Sequence, residues 1–162
     1  MRSLLATRAA DEFLGALSDG IFLSTQYVRH PSAPFYTPEP DLLHEFIGHG
    51  TTLLDARFAE LHRAFGAAAR VASSERMGQI ERLYWFTVEY GMVREDGVPR
   101  ALGAGLLSSC EELEQCGTVP ELLPFDAEVA ARTDYDPTRL QPRLFVADSF
   151  GSLVESTVDW LS

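Results

Sequence analysis

The sequence predicts an α+β fold that is mainly α-helical, with small antiparallel sheet elements. Several stretches carry apolar residues at helical spacing behind a capping residue, whereas only short apolar runs indicate strands. Apolar residues make up 46% of the chain and charged residues 23%, which is the balance of a packed domain. Because 162 residues suit one hydrophobic core, we expect a single domain over residues 1–162.

The composition argues against several classes of function. The chain has 13 basic and 24 acidic residues and a formal net charge of −11. That charge disfavours a nucleic-acid-binding surface and a polybasic membrane anchor, because both need clustered cations. No apolar run reaches the roughly 18–20 residues of a membrane span. The two cysteines do not make a disulfide framework, so we expect a cytoplasmic protein without nucleic-acid or membrane partners.

The first predicted elements are a short helix and a loop. Residues 10–18 predict a helix that closes near Gly20, and residues 21–23 predict a brief extended piece. Residues 29–40 contain four prolines, each of which fixes φ and lacks an amide donor. This segment is therefore predicted to be a shaped loop.

Two helices are predicted next. Thr37 as the N-cap and Pro38 at the first helical position predict a helix that runs to about His49 and stops at a neighbouring glycine. Asp55 is predicted to cap a second helix over residues 56–70. The apolar face of that second helix carries Phe58, Leu61 and Phe65.

A longer helix and a hairpin are predicted in the middle of the chain. The helix starts at Ser74 and runs to about Tyr90, where Gly91 provides a C-terminal stop. The dipeptide Asp96-Gly97 lies between short apolar pieces, which is typical of a β-hairpin.

The C-terminal part combines helices with one strand. Ser109 is followed three residues later by Glu112, a capping-box pattern that predicts a helix to about Cys116. The remaining predicted elements are a helix near 125–132, a strand over 143–147 and an amphipathic helix over 149–161.

His44 and His49 are the first candidates for a chemical role. They are five residues apart, which on an ideal α-helix separates them by about 140° around the axis. That offset is less favourable than the i, i+4 spacing of HExxH zinc enzymes. Two such histidines can still converge on one ion near a helix end, especially beside Gly48. The alternative is a pair of hydrogen-bonded histidines without a metal.

Glu89 makes a metal site more credible. It lies in the apolar run 83–93, where an ionised carboxylate needs a cation or strong hydrogen-bond donors. Two imidazoles and one carboxylate form the facial triad of non-haem Fe(II) oxygenases. The alternative is an ion pair with an arginine such as Arg82, and spacing alone leaves both interpretations open.

Longer motifs resemble one enzyme family. They occupy residues 25–30, 36–41, 84–91 and 103–109, together with the two histidines. Their order and spacing are similar to those of the pterin-dependent aromatic amino acid hydroxylases, which act on phenylalanine, tyrosine and tryptophan. The resemblance extends from about Leu4 to Phe150 and implies the catalytic core of that family.

The resemblance implies a non-haem Fe(II) monooxygenase, bacterial in view of its small size. Such an enzyme hydroxylates the ring of phenylalanine or tyrosine with O2 and a tetrahydropterin. The implied iron ligands are His44, His49 and Glu89, and the implied substrate-binding residues are Arg29, Thr37, Trp85, Tyr90 and Ser108. The implied pterin-binding residues are Phe13, Glu45 and Tyr84, and Tyr36 and Pro40 would line the active site. Without the resemblance, Arg29 suggests a surface ion pair and Ser108 a helix cap.

Some positions depart from the family pattern. Thr51 stands where the family usually has proline, and Leu23 stands where a histidine is common in the pterin pocket. The segment before Phe13 also differs from the usual one. The front part of the usual catalytic domain is missing, so we expect a truncated domain. A second copy in a homodimer would cover the missing side, or that side would be open for a larger substrate.

Three other functions are compatible with the sequence. A pterin-independent iron oxygenase would act on a tethered or larger aromatic substrate. A non-catalytic paralogue would bind an aromatic ligand or a partner. A zinc hydrolase would use Glu45 as its base, although the five-residue histidine spacing and Glu89 disfavour it.

Overall fold

The structure is a computed structural model that describes the backbone of residues 9–32 and 40–162 and the side chains of residues 12–32 and 40–162. The predicted N-cap Thr37, the following Pro38 and the active-site candidate Tyr36 lie outside the described residues. None of the described helices has the length and apolar character needed to cross a bilayer.

The described residues form a mainly helical α+β fold, as predicted. The α-helices are α1 (Ala9–Ser18), α2 (Ala56–Val71), α3 (Ser74–Tyr84), α4 (Ala104–Leu107), α5 (Cys110–Gln115), α6 (Ala127–Arg132) and α7 (Phe150–Leu161). Two π-helices, His44–Gly50 and Trp85–Glu89, lie between them. The strands are β1 (Met92–Glu95), β2 (Val98–Ala101), β3 (Glu121–Pro124) and β4 (Arg143–Ala147).

The sheet has the strand order β2-β1-β4-β3 and is mixed. The predicted hairpin of β1 and β2 is antiparallel, and its turn residues Asp96 (φ 51°) and Gly97 (φ 79°) adopt the left-handed conformations that such a turn requires. The pairings of β1 and β3 with β4 are parallel, so the sheet contains parallel pairs besides the expected antiparallel hairpin. Strand β3 was not predicted because prolines bound it. Its edge position tolerates Pro124.

Both predicted helices that carry the candidate ligands depart from α-helical geometry. Helical backbone continues over residues 42–52, so it does not stop at Gly48 or Gly50 as predicted. The long helix that starts at Ser74 changes to a π-helix at Trp85. It ends at Glu89, just before the predicted stop at Gly91, where a Cβ atom would lie 2.2 Å from the Thr87 carbonyl oxygen.

The core joins α1, α2 and α3 to strand β4 of the sheet. Leu14, Phe65, Leu83 and Phe145 are fully buried members of one apolar cluster. Helices α1 and α2 approach so closely that a Cβ on Gly66 would lie 2.2 Å from the backbone nitrogen of Ser18. Helix α2 is capped by Asp55 as predicted. The predicted extended piece at residues 21–23 has no regular strand structure.

Candidate metal centre and adjacent pocket

His44, His49 and Glu89 lie together in the interior. The Nε2 atoms of the two histidines are 3.1 Å apart. The Glu89 carboxylate lies 3.1 Å from His49 Nε2 and 3.6 Å from His44 Nε2. All three side chains are buried. Among the described residues they form the one group of three or more potential metal ligands whose donor atoms lie within 4.8 Å of one another.

The first π-helix explains how two histidines five residues apart meet. A π-helix is hydrogen-bonded from residue i to residue i+5, so residues five apart lie on one face. The expectation of a wide angular separation was therefore wrong, because it assumed an α-helix. The second π-helix is similar: the Tyr90 amide donates to the Trp85 carbonyl at 2.8 Å, and Glu89 lies in this widened turn.

A small-residue segment holds the two π-helices together. A Cβ on Gly48 would lie 2.8 Å from the Cβ and the carbonyl oxygen of Ala104. A Cβ on Gly103 would lie 2.3 Å from the carbonyl oxygen of Glu89. The turn into α4 thus touches both ligand-bearing helices directly, and side chains larger than hydrogen at these glycines would separate them.

Ser108 fixes the proton of His44. Its hydroxyl donates to the Ala104 carbonyl at 2.7 Å, so it accepts at 2.8 Å from His44 Nδ1. Burial lowers the pKa of His44 to about 4, and the ring is therefore neutral near pH 7. With the proton on Nδ1, the Nε2 lone pair points to His49 and Glu89, which is the tautomer that binds a metal.

The donor set fits a divalent cation such as Fe(II). Burial alone would raise the pKa of Glu89, but the neighbouring His49 and His44 outweigh this and hold the pKa below its usual value. The Oε2 atom of Glu89 is buried and has no hydrogen-bond partner among the described residues. Arg82, the alternative partner, instead pairs with Asp134 at 2.9 Å. A cation would satisfy the buried carboxylate and the imidazole lone pairs together.

Arg29 forms an ion pair with Asp41, a residue that the sequence analysis did not select. Arg29 Nε lies 2.8 Å from Asp41 Oδ2, and its Nη2 lies 2.8 Å from Oδ1. The side chains are 11% and 0% exposed, so this is not the surface ion pair considered above. The pair raises the pKa of Arg29 and lowers the pKa of Asp41 far below its usual value. Asp41 also accepts from the backbone amide of His44 at 3.2 Å.

A cavity of about 200 Å³ opens beside this ion pair. Five of the sequence-predicted site residues line it: Arg29, Pro40, His44, Tyr90 and Ser108. The wall also includes Glu112, whose pKa is raised to about 7 by burial. Burial, together with nearby Glu112 and Glu89, raises the pKa of Tyr90, so its hydroxyl stays protonated.

Trp85 supports this wall but does not line the cavity. Its ring stacks between those of Tyr90, at 4.5 Å, and Tyr135, at 4.2 Å. Its Nε1 donates to the Gln141 side chain at 3.1 Å. Gln141 and Tyr135 lie about fifty residues away in sequence, so no local pattern could have linked them to Trp85. Thr37, the other predicted substrate residue, lies outside the described residues.

The three predicted pterin-binding residues lie on the His49 side of the centre. Phe13 packs edge-on against Tyr84 at 6.0 Å, and both rings are buried. Glu45 is also buried, which raises its pKa, and it accepts from the Thr25 hydroxyl at 3.3 Å. The structure therefore groups these three buried residues near one another, and Glu45 is close enough to Tyr84 to help raise the pKa of its hydroxyl.

Comparisons with known proteins match this chain to one enzyme family. The family model described as "Biopterin-dependent aromatic amino acid hydroxylase" matches residues 1–162. Phenylalanine 3-hydroxylase from Streptomyces coeruleorubidus is 49% identical over 148 residues, which are 91% of this chain and 52% of that protein. Protein henna from Drosophila melanogaster is 43% identical over 159 residues, which are 98% of this chain and 35% of that protein. The chain thus spans about half or less of the length of these relatives.

The fold is similar to that of solved bacterial structures. A crystal structure of phenylalanine hydroxylase from Chromobacterium violaceum, with bound iron(III) and oxidised 7,8-dihydrobiopterin, matches with a TM-score of 0.85. The match is 32% identical and covers 93% of this chain and 56% of that chain. Phenylalanine hydroxylase from Legionella pneumophila matches with the same TM-score, at 32% identity, over 94% of this chain and 69% of that chain.

Proposed function

The chain belongs to the biopterin-dependent aromatic amino acid hydroxylase family, and on that premise we propose that it is a non-haem Fe(II) monooxygenase. It hydroxylates the ring of an aromatic amino acid with O2 and a tetrahydropterin. One observation carries the proposal: His44, His49 and Glu89 converge within 4.8 Å beside a cavity lined by Arg29. The names of the relatives support phenylalanine as the substrate.

The protein's part in metal binding is to hold three donors in place. His44 and His49 offer neutral imidazole nitrogens, and Glu89 offers its carboxylate. Ser108 fixes the His44 tautomer through the hydrogen bond described above. When bound, Fe(II) with the tetrahydropterin supplies the activation of O2. Three protein ligands on one face leave other coordination positions for that chemistry.

Arg29 is proposed to bind the substrate carboxylate. A guanidinium group presents its donors in a planar fork that suits a carboxylate. Asp41 holds the Nε and Nη2 edge of Arg29 and so fixes its plane at the cavity wall. The substrate's α-carboxylate then anchors one end of the molecule, and its ring extends toward His44 and Tyr90. Thr37 and Tyr36 are proposed to contribute to the same pocket.

Tyr90 and Trp85 are proposed to set the position of the substrate ring. The Tyr90 ring faces the cavity and stacks on Trp85 behind it. Trp85 is fixed by Tyr135 and Gln141, so Tyr90 has little freedom to turn aside. A ring held at a fixed distance from the metal centre is what positional selectivity requires. Phe13, Glu45 and Tyr84 are proposed to form the pterin side of the site.

The domain organisation, assembly and location are also proposals. Residues 1–162 are proposed to belong to one catalytic domain that acts in the cytoplasm. A homodimer is also proposed, and sedimentation velocity would distinguish a dimer from a monomer. Exposed Phe46 and Ile47, on the helix that carries His44, support a covered face there.

Reconstituted turnover tests the function. Protein loaded with Fe(II) is given O2, a tetrahydropterin and one aromatic amino acid at a time. We expect a phenylalanine product heavier by one oxygen atom, formed in proportion to pterin oxidation, and chromatography against 3- and 4-hydroxyphenylalanine standards gives the ring position. Product without pterin would favour the pterin-independent oxygenase. Metal binding without any product would favour a non-catalytic binding module.

A further inference from the structure

Several buried polar atoms behind His49 have no hydrogen-bond partner among the described residues. They include His49 Nδ1, His62 Nε2 and the Tyr84 hydroxyl. The His62 ring lies 6.2 Å from the His49 ring and 5.9 Å from the Tyr84 ring, in edge-on arrangements. Phe22 packs against both imidazoles and closes the group. Unpaired buried polar atoms are rare in folded proteins, so this group requires an explanation.

The position of one proton follows from geometry. His62 Nδ1 lies 2.7 Å from the Phe58 carbonyl oxygen. A carbonyl only accepts hydrogen bonds, so Nδ1 must carry the proton and donate. The ring is buried, which favours its neutral form. His62 Nε2 is therefore a lone pair that can only accept.

His49 has the complementary requirement. Its Nε2 faces His44 Nε2 and the Glu89 carboxylate, both at 3.1 Å. If this nitrogen gives its lone pair to a metal, the His49 proton must reside on Nδ1. That atom is then a buried donor without an acceptor. The Tyr84 hydroxyl, which can accept one hydrogen bond and donate another, lies in the same group.

We propose that His62 is a positioning residue for the metal ligand His49. Its Nε2 is the acceptor on which the His49 Nδ1–H depends. Because these atoms make no hydrogen bond to one another in the structure, a small side-chain shift must close the link, either directly or through the Tyr84 hydroxyl. In the second arrangement His49 donates to Tyr84 and Tyr84 donates to His62. The chain of hydrogen bonds ends at the Phe58 carbonyl on α2. The proposal rests on the proposed metal site and adds α2 to the elements that hold it.

A purely structural role for His62 makes different predictions. A histidine that only fills space in the core would affect stability without affecting the metal. An acceptor for His49 Nδ1–H orients the imidazole and raises its basicity, and loss of such partners typically lowers metal affinity roughly 10–100-fold. The two roles are separated by variants that keep or remove the acceptor.

The test compares Co(II) affinity in H62M, H62Q and wild-type protein. Met fills the space of the ring without a comparable acceptor, whereas the Gln side-chain oxygen can replace Nε2. We expect H62M to bind Co(II) roughly 10–100-fold more weakly and H62Q to stay within a few-fold of wild type. H30M, which removes an exposed histidine, is the matched control and should bind as wild type. Thermal unfolding of the metal-free proteins shows whether each variant folds.

Proton NMR of the Co(II)-bound protein provides a readout that stability does not affect. Wild type should show two slowly exchanging, metal-shifted N–H signals, one from His44 and one from His49. H62M should lose the slow exchange of one signal and keep the other, because Ser108 still holds His44. If H62M does not fold, nitrogen NMR of the wild-type protein still tests the proposal, because it reports which ring nitrogen of His62 carries the proton. A proton on Nε2 would contradict the proposal.

The outcomes also separate this proposal from the proposed function. If wild type binds Co(II) and H62M matches it in affinity and in both N–H signals, only the role of His62 is overturned. If wild type does not bind Co(II), the metal site itself is wrong and the positioning role falls with it.

Discussion

Replacing Asp41 by Asn removes the charge that holds Arg29 at the cavity wall. Asp41 accepts two side-chain hydrogen bonds from Arg29 at 2.8 Å and one from its backbone amide at 2.8 Å. Asn has one oxygen in place of two, so its amide group must face at least one donor. Removal of one partner of a buried ion pair typically costs about 3–5 kcal/mol, and we expect about 3 kcal/mol here because Arg29 is partly exposed.

The assay is urea unfolding of D41N beside wild type, with D55N as the matched control. Asp55 also pairs with an arginine, Arg57, but the two side chains are 39% and 57% exposed. Asn is as good a helix cap as Asp, so D55N should change stability little. In turnover, D41N should raise KM for phenylalanine more than it lowers kcat. Equal stability losses in D41N and D55N, or an unchanged KM, would refute the buried-pair reasoning.

The same pair predicts how stability depends on pH. The pKa of Asp41 is lowered in the folded state, so its contribution is present above the unfolded pKa, near about 4. It is lost as the pH falls below that value through the folded pKa. As the pH falls below about 4, wild type should therefore lose more stability than D41N. Urea unfolding at a series of pH values measures this difference.

Three further predictions follow from the site. H49A and E89Q should each lose most Fe(II) binding in equilibrium dialysis, where wild type binds one ion per chain; unchanged content in both would contradict the ligand assignment. The pKa of Glu112 is raised from 4.5 to about 7, so wild type should lose stability as the pH rises between those values, and E112Q should not. G48A should destabilise the fold by about 1–3 kcal/mol, because the added Cβ would lie 2.8 Å from Ala104. Urea unfolding curves that superimpose on those of wild type would show that this contact is not tight.

Helix capping and turn chemistry made much of the fold predictable. Asp55, the Asp96-Gly97 turn and Ser109 each mark an element that the structure contains at the predicted place. The capping box at Ser109 is only half formed, because the Glu112 carboxylate accepts from the Gln141 amide. Such local signals act within a few residues and are visible in one sequence.

The details of the site depended on features that local patterns do not encode. The π-helical turn that joins His44 and His49 replaces the 3.6-residue period assumed for any predicted helix. Asp41 pairs with Arg29, which lies twelve residues earlier in the sequence. His62 lies on α2, and no local pattern marks it as a neighbour of His49. Each of these depends on tertiary contacts.

We propose that this chain uses Fe(II) and a tetrahydropterin to oxygenate an aromatic amino acid. The most direct measurement is incorporation of label from isotopically labelled O2 into phenylalanine by the Fe(II)-loaded protein, with E89Q as the matched control. We predict one labelled oxygen atom on the ring for each tetrahydropterin oxidised, and none with E89Q. Unlabelled product, or pterin oxidation without any ring product from a fully loaded protein, would contradict it.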